Sequence, residues 1–411
     1  MPSRKLLQIN VTANWGSTGR IAEDIGALAM QQGWESHIAY GRKSAGGLSH
    51  AVRIGGPVDV GMHLLKTRAL DAHGLGSRRA TACFIEKIRT ISPDIVHLHN
   101  IHGYYLNYPL LFDFLKHYGR PVVWTLHDCW AYTGHCAFYD SPACDRWKTG
   151  CHDCPQLRSY PASVMADRSC ANYRQKKDSF LGVPDLTLVA VSDWAARELS
   201  SSFLSGYPIV TIKNGVDLDV FKIRAHAGRA AGAKMVLGVA SVWSDRKGLT
   251  DFVELRKLLP PEYEIMLVGL SGRQLRNLPP GIRGLQRTDS SEKLSELYNM
   301  ADVYVNPTAE DNFPTTNIEA LACGTPVVAY DTGGSAEAVG ADTGAIVRRG
   351  DVAALAREIV KVCDGRSAFA DACRERAVRL YGKAACYQRY LDLYASLART
   401  HKSTSKQNYN T

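Results

Sequence analysis

Residues Asp302 to Gly334 read DVYVNPTAEDNFPTTNIEALACGTPVVAYDTGG, and few folds accommodate that order. Asp302 to Val305 has the β-branched and aromatic residues of a short strand, ended by Asn306 and Pro307. Thr315 or Thr316 is placed to cap a helix that carries Ile318, Leu321 and Ala322 on one face, and Gly324 supplies its stop. Thr325 to Tyr330 is then a continuous apolar run, the pattern of a strand covered on both faces, which belongs to a parallel sheet under helices. The polar residues Glu310, Asp311, Asn312 and Glu319 collect between strand end and helix start. In an open parallel sheet that is where ligands bind, and free amides at a helix N-terminus suit an anion.

The same alternation fills the rest of the chain. Lys5 to Val11 reads as a strand, Arg20 to Gln32 as a helix stopped by Gly33, and Ser36 to Tyr40 as a strand. Gly16 and Gly19 lie in the turn between the first strand and helix, where glycine permits close approach of a ligand to the backbone. They do not form GxGxxG, so a nicotinamide cofactor is not supported. Asp94 to His99, Pro121 to His127, Leu186 to Val191 and Ile209 to Lys213 are further strands, and Leu110 to Tyr118 is a helix. A second series starts with the strand Met235 to Ala240 and continues through Glu264 to Val268, the helix Ser291 to Met300 and the stretch described first. Helices at Asp351 to Cys363, Ser367 to Tyr381 and Ala384 to Leu397 close it. Two alternating series predict an α/β chain of two doubly wound domains, residues 1–215 and 216–382, with HAGRAAGA as a short linker. Residues 383–400 form a terminal helix, and 401–411 read as a disordered tail.

Composition narrows the partners. The net charge of +9 allows a nucleotide, an anionic lipid surface or simply a mildly basic protein, while no Lys/Arg block is dense enough for a nucleic-acid arm. His63 to Ala80 mixes leucines with Lys66, Arg68, Arg78 and Arg79, and reads either as a basic element on a membrane surface or as a solvated helix. No stretch approaches the ~20 apolar residues of a span, and the start resembles no signal peptide. The expected location is the cytoplasm, and the cysteines at Cys363, Cys373 and Cys386 are expected as reduced, buried thiols.

Four groups carry candidate chemistry. Asp311 and Glu319, eight residues apart, can aim two carboxylates into one pocket from loop and helix. Arg246, Lys247 and Gly248 lie at a strand end before a helix, a good pyrophosphate cradle. His127 and Asp128 close the strand PVVWTLH, where a histidine can exchange a proton near neutral pH. Cys136, Cys144, Cys151 and Cys154 fall within the loop 128–155 with spacing C-x7-C-x6-C-x2-C. Their readings are a structural zinc, unliganded thiols or a disulfide, with His135 and His152 as substitute ligands.

The motifs INVTANWGSTGR, PDIVHLHNIHG, WTLHDCWAYTGHCAF, WKTGCHDCP, VAVSDW, IKNGVDLDVF, DRKGL and EDNFPTTNIEALACGTPVVAYDTGG together resemble the family 4 glycosyltransferases of GT-B fold, in the bacterial exopolysaccharide and colanic-acid-type branch. The resemblance implies two Rossmann-like domains facing a cleft. It implies transfer of a sugar, with retention, from a UDP- or GDP-sugar to a saccharide or lipid-linked acceptor, with no cofactor required for catalysis. The basic stretch His63 to Ala80 allows peripheral contact with the inner membrane, and the lack of a dense Lys/Arg block predicts no nucleic-acid partner. The family's paired acids fall on Asp311 and Glu319, for donor sugar and ribose. Amides near Phe313, Pro314 and Thr315 would hold the sugar, and Arg246 and Lys247 the diphosphate. His127 would lie near the reacting sugar, and Gly16 to Gly19 near the donor phosphate. Two departures stand out: the first acid is Asp311, beside Glu310, where the family carries a glutamate, and Val242 stands at the usual arginine position. A nucleotide-sugar epimerase of the same fold, or a non-catalytic sugar-binding protein, is the alternative.

Overall fold

The computed structural model describes residues 3–224 and 232–407. In chain order the strands are β1 (Lys5–Asn10), β2 (Glu35–Tyr40), β3 (His50–Arg53), β4 (Ile95–Leu98), β5 (Val122–Leu126), β6 (Leu186–Ala190) and β7 (Ile209–Thr211), followed by β8 (Lys234–Val239), β9 (Tyr263–Val268), β10 (Ile282–Leu285), β11 (Val303–Asn306), β12 (Val327–Tyr330) and β13 (Gly344–Val347). The helices are α1 (Gly16–Gln31), α2 (Pro57–Leu70), α3 (Arg78–Ile91), α4 (Tyr108–Tyr118), α5 (Ser169–Phe180), α6 (Asp193–Ser200), α7 (Leu249–Leu258), α8 (Gly272–Arg276), α9 (Ser291–Met300), α10 (Thr315–Ala322), α11 (Val352–Asp364), α12 (Arg366–Tyr381) and α13 (Lys383–Gln407).

The strands form two sheets, ordered β3-β2-β1-β4-β5-β6-β7 and β10-β9-β8-β11-β12-β13, and every pairing is parallel. The central strands β4, β5, β6, β11 and β12 are buried at every position, because helices cover both faces, and their few polar side chains, such as His97, Thr125 and Asn306, are buried with hydrogen-bond partners. Each sheet reverses its strand order once, between β1 and β4 and between β8 and β11, and so opens a crevice at the strand C-termini.

The chain divides into two compact units, Met1–Ile212 with Tyr387–Thr411, and Lys213–Cys386. The breaks differ from the expected 215/216 and 382/383. The Val216 N–H donates to the Tyr381 carbonyl and the Val216 carbonyl accepts from the Lys383 N–H, while Lys383 Nζ lies 2.7 Å from Asp217, so these residues stay in the second unit. Most of the expected linker HAGRAAGA lies outside the described residues.

Several local expectations change. Helix α1 starts at Gly16 rather than Arg20, because Trp15 is extended at the N-cap and Gly16 takes φ +67°, turning the chain at once. His63 to Ala80 is the end of α2, a loop and the start of α3, since Asp71 and Ser77 both adopt left-handed conformations that interrupt any helix between them. Helix α10 is capped by extended Pro314, and neither Thr315 nor Thr316 caps it. Residues expected as a disordered tail are helical to Gln407, and 408–411 lie outside the described residues. Strands β3, β10 and β13 and helices α5 and α8 are additions to the sequence reading.

Candidate functional site

In the second unit the crevice is built by the loops after β8, β11 and β12. Arg246 and Lys247 lie in a single 3₁₀ turn after β8, closed by Gly248 at φ +79°. A Cβ on Gly248 would meet the Pro307 carbonyl oxygen at 2.4 Å, so only glycine lets this turn sit on the loop after β11. The two loops are also tied by hydrogen bonds. Arg246 Nη1 donates to the Glu310 carbonyl at 2.8 Å, the Ala309 N–H donates to the Arg246 carbonyl at 2.8 Å, and Lys247 Nζ meets Asp311 Oδ2 at 2.5 Å. Lys247 and Asp311 keep a fifth of their side-chain surface exposed, whereas Glu310 is buried. Of the two adjacent acids, Asp311 is therefore the one with an accessible carboxylate.

Asn312 and Phe313 are buried next to it, and Asn214 Nδ2 donates to the Phe313 carbonyl at 3.1 Å. Helix α10 begins at Thr315 without a side-chain cap among the described residues and without an acid in its first turn, so its leading amides remain available to an anion. Glu319 is half-buried one turn along, and its Oε2 accepts from the Tyr298 hydroxyl at 3.1 Å. Val242 is exposed and holds the position where the family arginine was expected.

Sequence reasoning missed the supports of this loop. Gly333, at φ +51°, has the Asp311 carbonyl oxygen 2.1 Å from where a Cβ would stand, and the Gly334 N–H donates to that oxygen at 3.0 Å. Asn306 Nδ2 donates to Asn317 Oδ1 at 2.7 Å, and Asn317 Nδ2 to the Ser335 carbonyl at 3.0 Å, joining strand end, helix and following loop. The glycine pair after β12 was the one signal that could have found this.

In the first unit His127 follows β5. A buried chain sets its tautomer. Gln8 Nε2 donates to the Ala22 carbonyl, which turns Gln8 Oε1 toward His99 Nε2 at 3.0 Å. His99 Nδ1 is then an acceptor for His127 Nε2–H at 3.1 Å, leaving His127 Nδ1 with its lone pair. Burial lowers the His127 pKa to about 4, with Asp128 opposing the shift, and holds His99 well below its usual value, so both rings are neutral at pH 7. Asp128 instead pairs with His102 at 2.8 Å. Burial works to raise its pKa, but His102 and the Trp130 N–H outweigh it and the net shift is downward. Gly19 packs against Thr12, whose Oγ1 would lie 2.7 Å from an added Cβ, and Gly16 opens α1 with nothing near its missing side chain. The expected glycine turn is thus part of the first helical turn.

The four loop cysteines are free and line one small cavity with His135 and Trp147. Among the described residues no group of three or more His, Cys, Asp or Glu side chains stands ready to hold a metal ion, so the expected zinc site is not preformed. The Cys136 thiol is instead engaged with Cys154, and Cys151 Sγ accepts from the Gly134 N–H at 3.1 Å. His152 is exposed and bound to Asp153.

Two all-parallel doubly wound units with their crevices at the strand C-termini are the GT-B glycosyltransferase fold. Sucrose-phosphate synthase from Thermosynechococcus elongatus superposes with TM-score 0.73 at 19% identity over 97% of this chain and 100% of its own. Anabaena HepE in complex with UDP-glucose superposes with TM-score 0.62 at 15% identity over 95% and 99%. The model described as Glycosyltransferase Family 4 matches residues 19–220, and that described as Glycosyl transferases group 1 matches residues 233–364. WcaC of Escherichia coli K12, described as a colanic acid biosynthesis glycosyl transferase, is 28% identical over 95% of this chain and 100% of its own length. The chain belongs to the family 4/group 1 glycosyltransferases and is an enzyme of that class.

Proposed function

We propose that the protein transfers a sugar from a nucleotide-diphosphate sugar, with retention, to a saccharide or lipid-linked saccharide during surface polysaccharide synthesis. The observation that carries this reading is the second-unit crevice, where Lys247, Asp311, the α10 amides and Glu319 lie on adjoining loops. Glu319 takes the ribose hydroxyls and Asp311 the donor sugar. Lys247, Arg246 and the α10 amides stabilise charge that grows on the leaving diphosphate, where preorganised donors act most strongly. His127, neutral with Nδ1 open, accepts a hydrogen bond from a sugar hydroxyl. The likeness to WcaC supports a polysaccharide product, and the UDP-glucose complex of HepE makes UDP-sugars the first donors to test.

No helix among the described residues is long and apolar enough to cross a membrane. Helix α2, however, exposes Val58, Met62 and Leu65 on one stripe, with Lys66 and Arg68 to either side. Val164, whose N–H donates to the Arg68 carbonyl, and Met165 extend the exposed apolar surface. An apolar stripe between cations fits an anionic phospholipid surface, which would bring the enzyme to a lipid-linked acceptor.

The test is nucleoside diphosphate release across a panel of UDP- and GDP-sugars, with and without acceptor. Glu319→Ala and Lys247→Ala should each abolish release. Activity that survives both removes the catalytic assignment, and donor conversion without release indicates epimerisation instead.

A further inference from the structure

The loop after β5 contains a second set of chemistry-bearing side chains that sugar transfer does not use. Cys136, Cys144, Cys151 and Cys154 line a cavity of only about 10 Å³, too small for a sugar or nucleotide and of the size of an ion. Two buried polar groups on the same wall find no hydrogen-bond partner among the described residues: His135 Nε2 and the Trp147 indole Nε1–H. Both side chains are almost wholly buried.

The wall of the cavity is held by specific contacts. His135 Nδ1 lies 2.6 Å from Asp71 Oδ1, a carboxylate that fixes the ring and turns Nε2 toward the cavity. Asp71 is itself anchored, since Oδ2 accepts from the Arg168 N–H at 2.8 Å. The Gly134 N–H already donates to Cys151 Sγ. Lys176, buried to 2% exposure, donates from Nζ to the Trp130 and Thr133 carbonyls at 2.6 and 2.9 Å behind the loop, and burial draws its pKa down to about 7. Four sulfurs around one ion-sized cavity, with an imidazole nitrogen and an indole N–H left without partners on the same wall, fit four thiolates on a single dication.

We propose that this loop binds one structural zinc ion through the thiolates of Cys136, Cys144, Cys151 and Cys154. Binding releases the four thiol protons, and the Trp147 Nε1–H then finds a sulfur acceptor. The ligands are not gathered beforehand, so side-chain rotation within the cavity accompanies binding: the Cys136–Cys154 hydrogen bond is replaced by coordination, and Cys144 and Cys151 turn inward. The ion pins the loop against Trp130 and α5. It takes no part in sugar transfer.

The full-length protein, purified without chelators from zinc-supplemented cells, should carry about one zinc per chain by elemental mass spectrometry. The Cys151→Ser/Cys154→Ser double variant should lose it, while Cys83→Ser, at an exposed thiol elsewhere, should keep it. Because the double variant could fail to fold without zinc, wild-type protein stripped by chelator is also titrated with Co(II). A thiolate-to-cobalt charge-transfer band with tetrahedral ligand-field bands, saturating at about one equivalent, supports the site. Zinc below about a tenth of an equivalent together with no such band overturns it. So does a Cys136–Cys154 disulfide found in the native protein by peptide mapping.

Discussion

Gly333→Ala tests whether the acidic loop is held where it must be. An added Cβ would stand 2.1 Å from the Asp311 carbonyl oxygen, and real Cβ contacts keep 3.0 Å or more, so one backbone must move by about 0.9 Å (3.0 − 2.1). The residue must also hold φ +51°, which disfavours alanine by about 1–2 kcal/mol. The Gly334 N–H to Asp311 bond, now 3.0 Å, would be strained or lost at about 1 kcal/mol. Together the second unit should lose about 2–3 kcal/mol, a melting shift of roughly 5–10 °C. Displacing Asp311 by nearly an ångström should lower kcat/KM by about 10²-fold even where the variant is fully folded. The assay pairs a thermal melt with diphosphate release measured well below the transition. Gly206→Ala is the control, because its Cβ would meet nothing within 4 Å. If Gly333→Ala melts within about 1 °C of wild type and keeps kcat/KM within about twofold, the loop is not positioned by this contact and the reasoning fails.

Three further outcomes are expected. Glu319→Gln keeps the shape but weakens the acceptor for the Tyr298 hydroxyl, so KM for the donor should rise about tenfold or more with little change in melting temperature, measured by donor titration and a thermal melt. Folded-state pKa values are lowered to about 4 for His63 and His127 and well below 6.5 for His73, His97 and His99. The unfolded chain therefore binds more protons below pH 6.5. Stability should be complete above that value and fall between pH 6.5 and 4 by up to about 1.4 kcal/mol per pH unit each for His63 and His127, with His73, His97 and His99 acting in the same direction, read by denaturant melts across that range, while ¹⁵N spectra show His127 as the neutral Nε2–H tautomer at pH 7. Met62→Ser/Leu65→Ser, at exposed positions, should leave melting unchanged but reduce co-sedimentation with anionic phospholipid vesicles; undiminished co-sedimentation would remove α2 from the membrane reading.

The central strands were legible because burial on both faces makes them continuous apolar runs, as in Val122–Leu126 and Val327–Tyr330. Edge strands were not: HAVR and IRGL lie at the sheet edges, where one side has no neighbour, and half or more of their positions are exposed or half-exposed. Helix α5 hid for another reason. Its sequence SCANYRQKKDSF is polar, and beside Tyr173 and Phe180 its buried face carries Asn172 and Lys176, held by specific hydrogen bonds. Among site residues, Asp311, Glu319 and Lys247 came from a motif and a strand-end position. Their supports, Asn317 under the loop and Gln8 behind His99, act through distant pairings that no local pattern encodes.

The division of α13 bears on how the chain comes to be folded. The second unit, Lys213–Cys386, is one unbroken segment and can close as soon as it is synthesised. The first unit cannot, although its first residues emerge earliest. Tyr390 accepts from the buried Thr125 hydroxyl, Tyr394 bonds His97 at 2.6 Å and packs on Trp34, and both tyrosines are themselves buried. The two hydrogen bonds span 265 and 297 residues of sequence, so loop closure makes them late and slow. During translation the order of maturation is therefore inverted. The segment made second is finished first, while Thr125, His97 and Trp34 wait uncovered for residues beyond Cys386 to arrive.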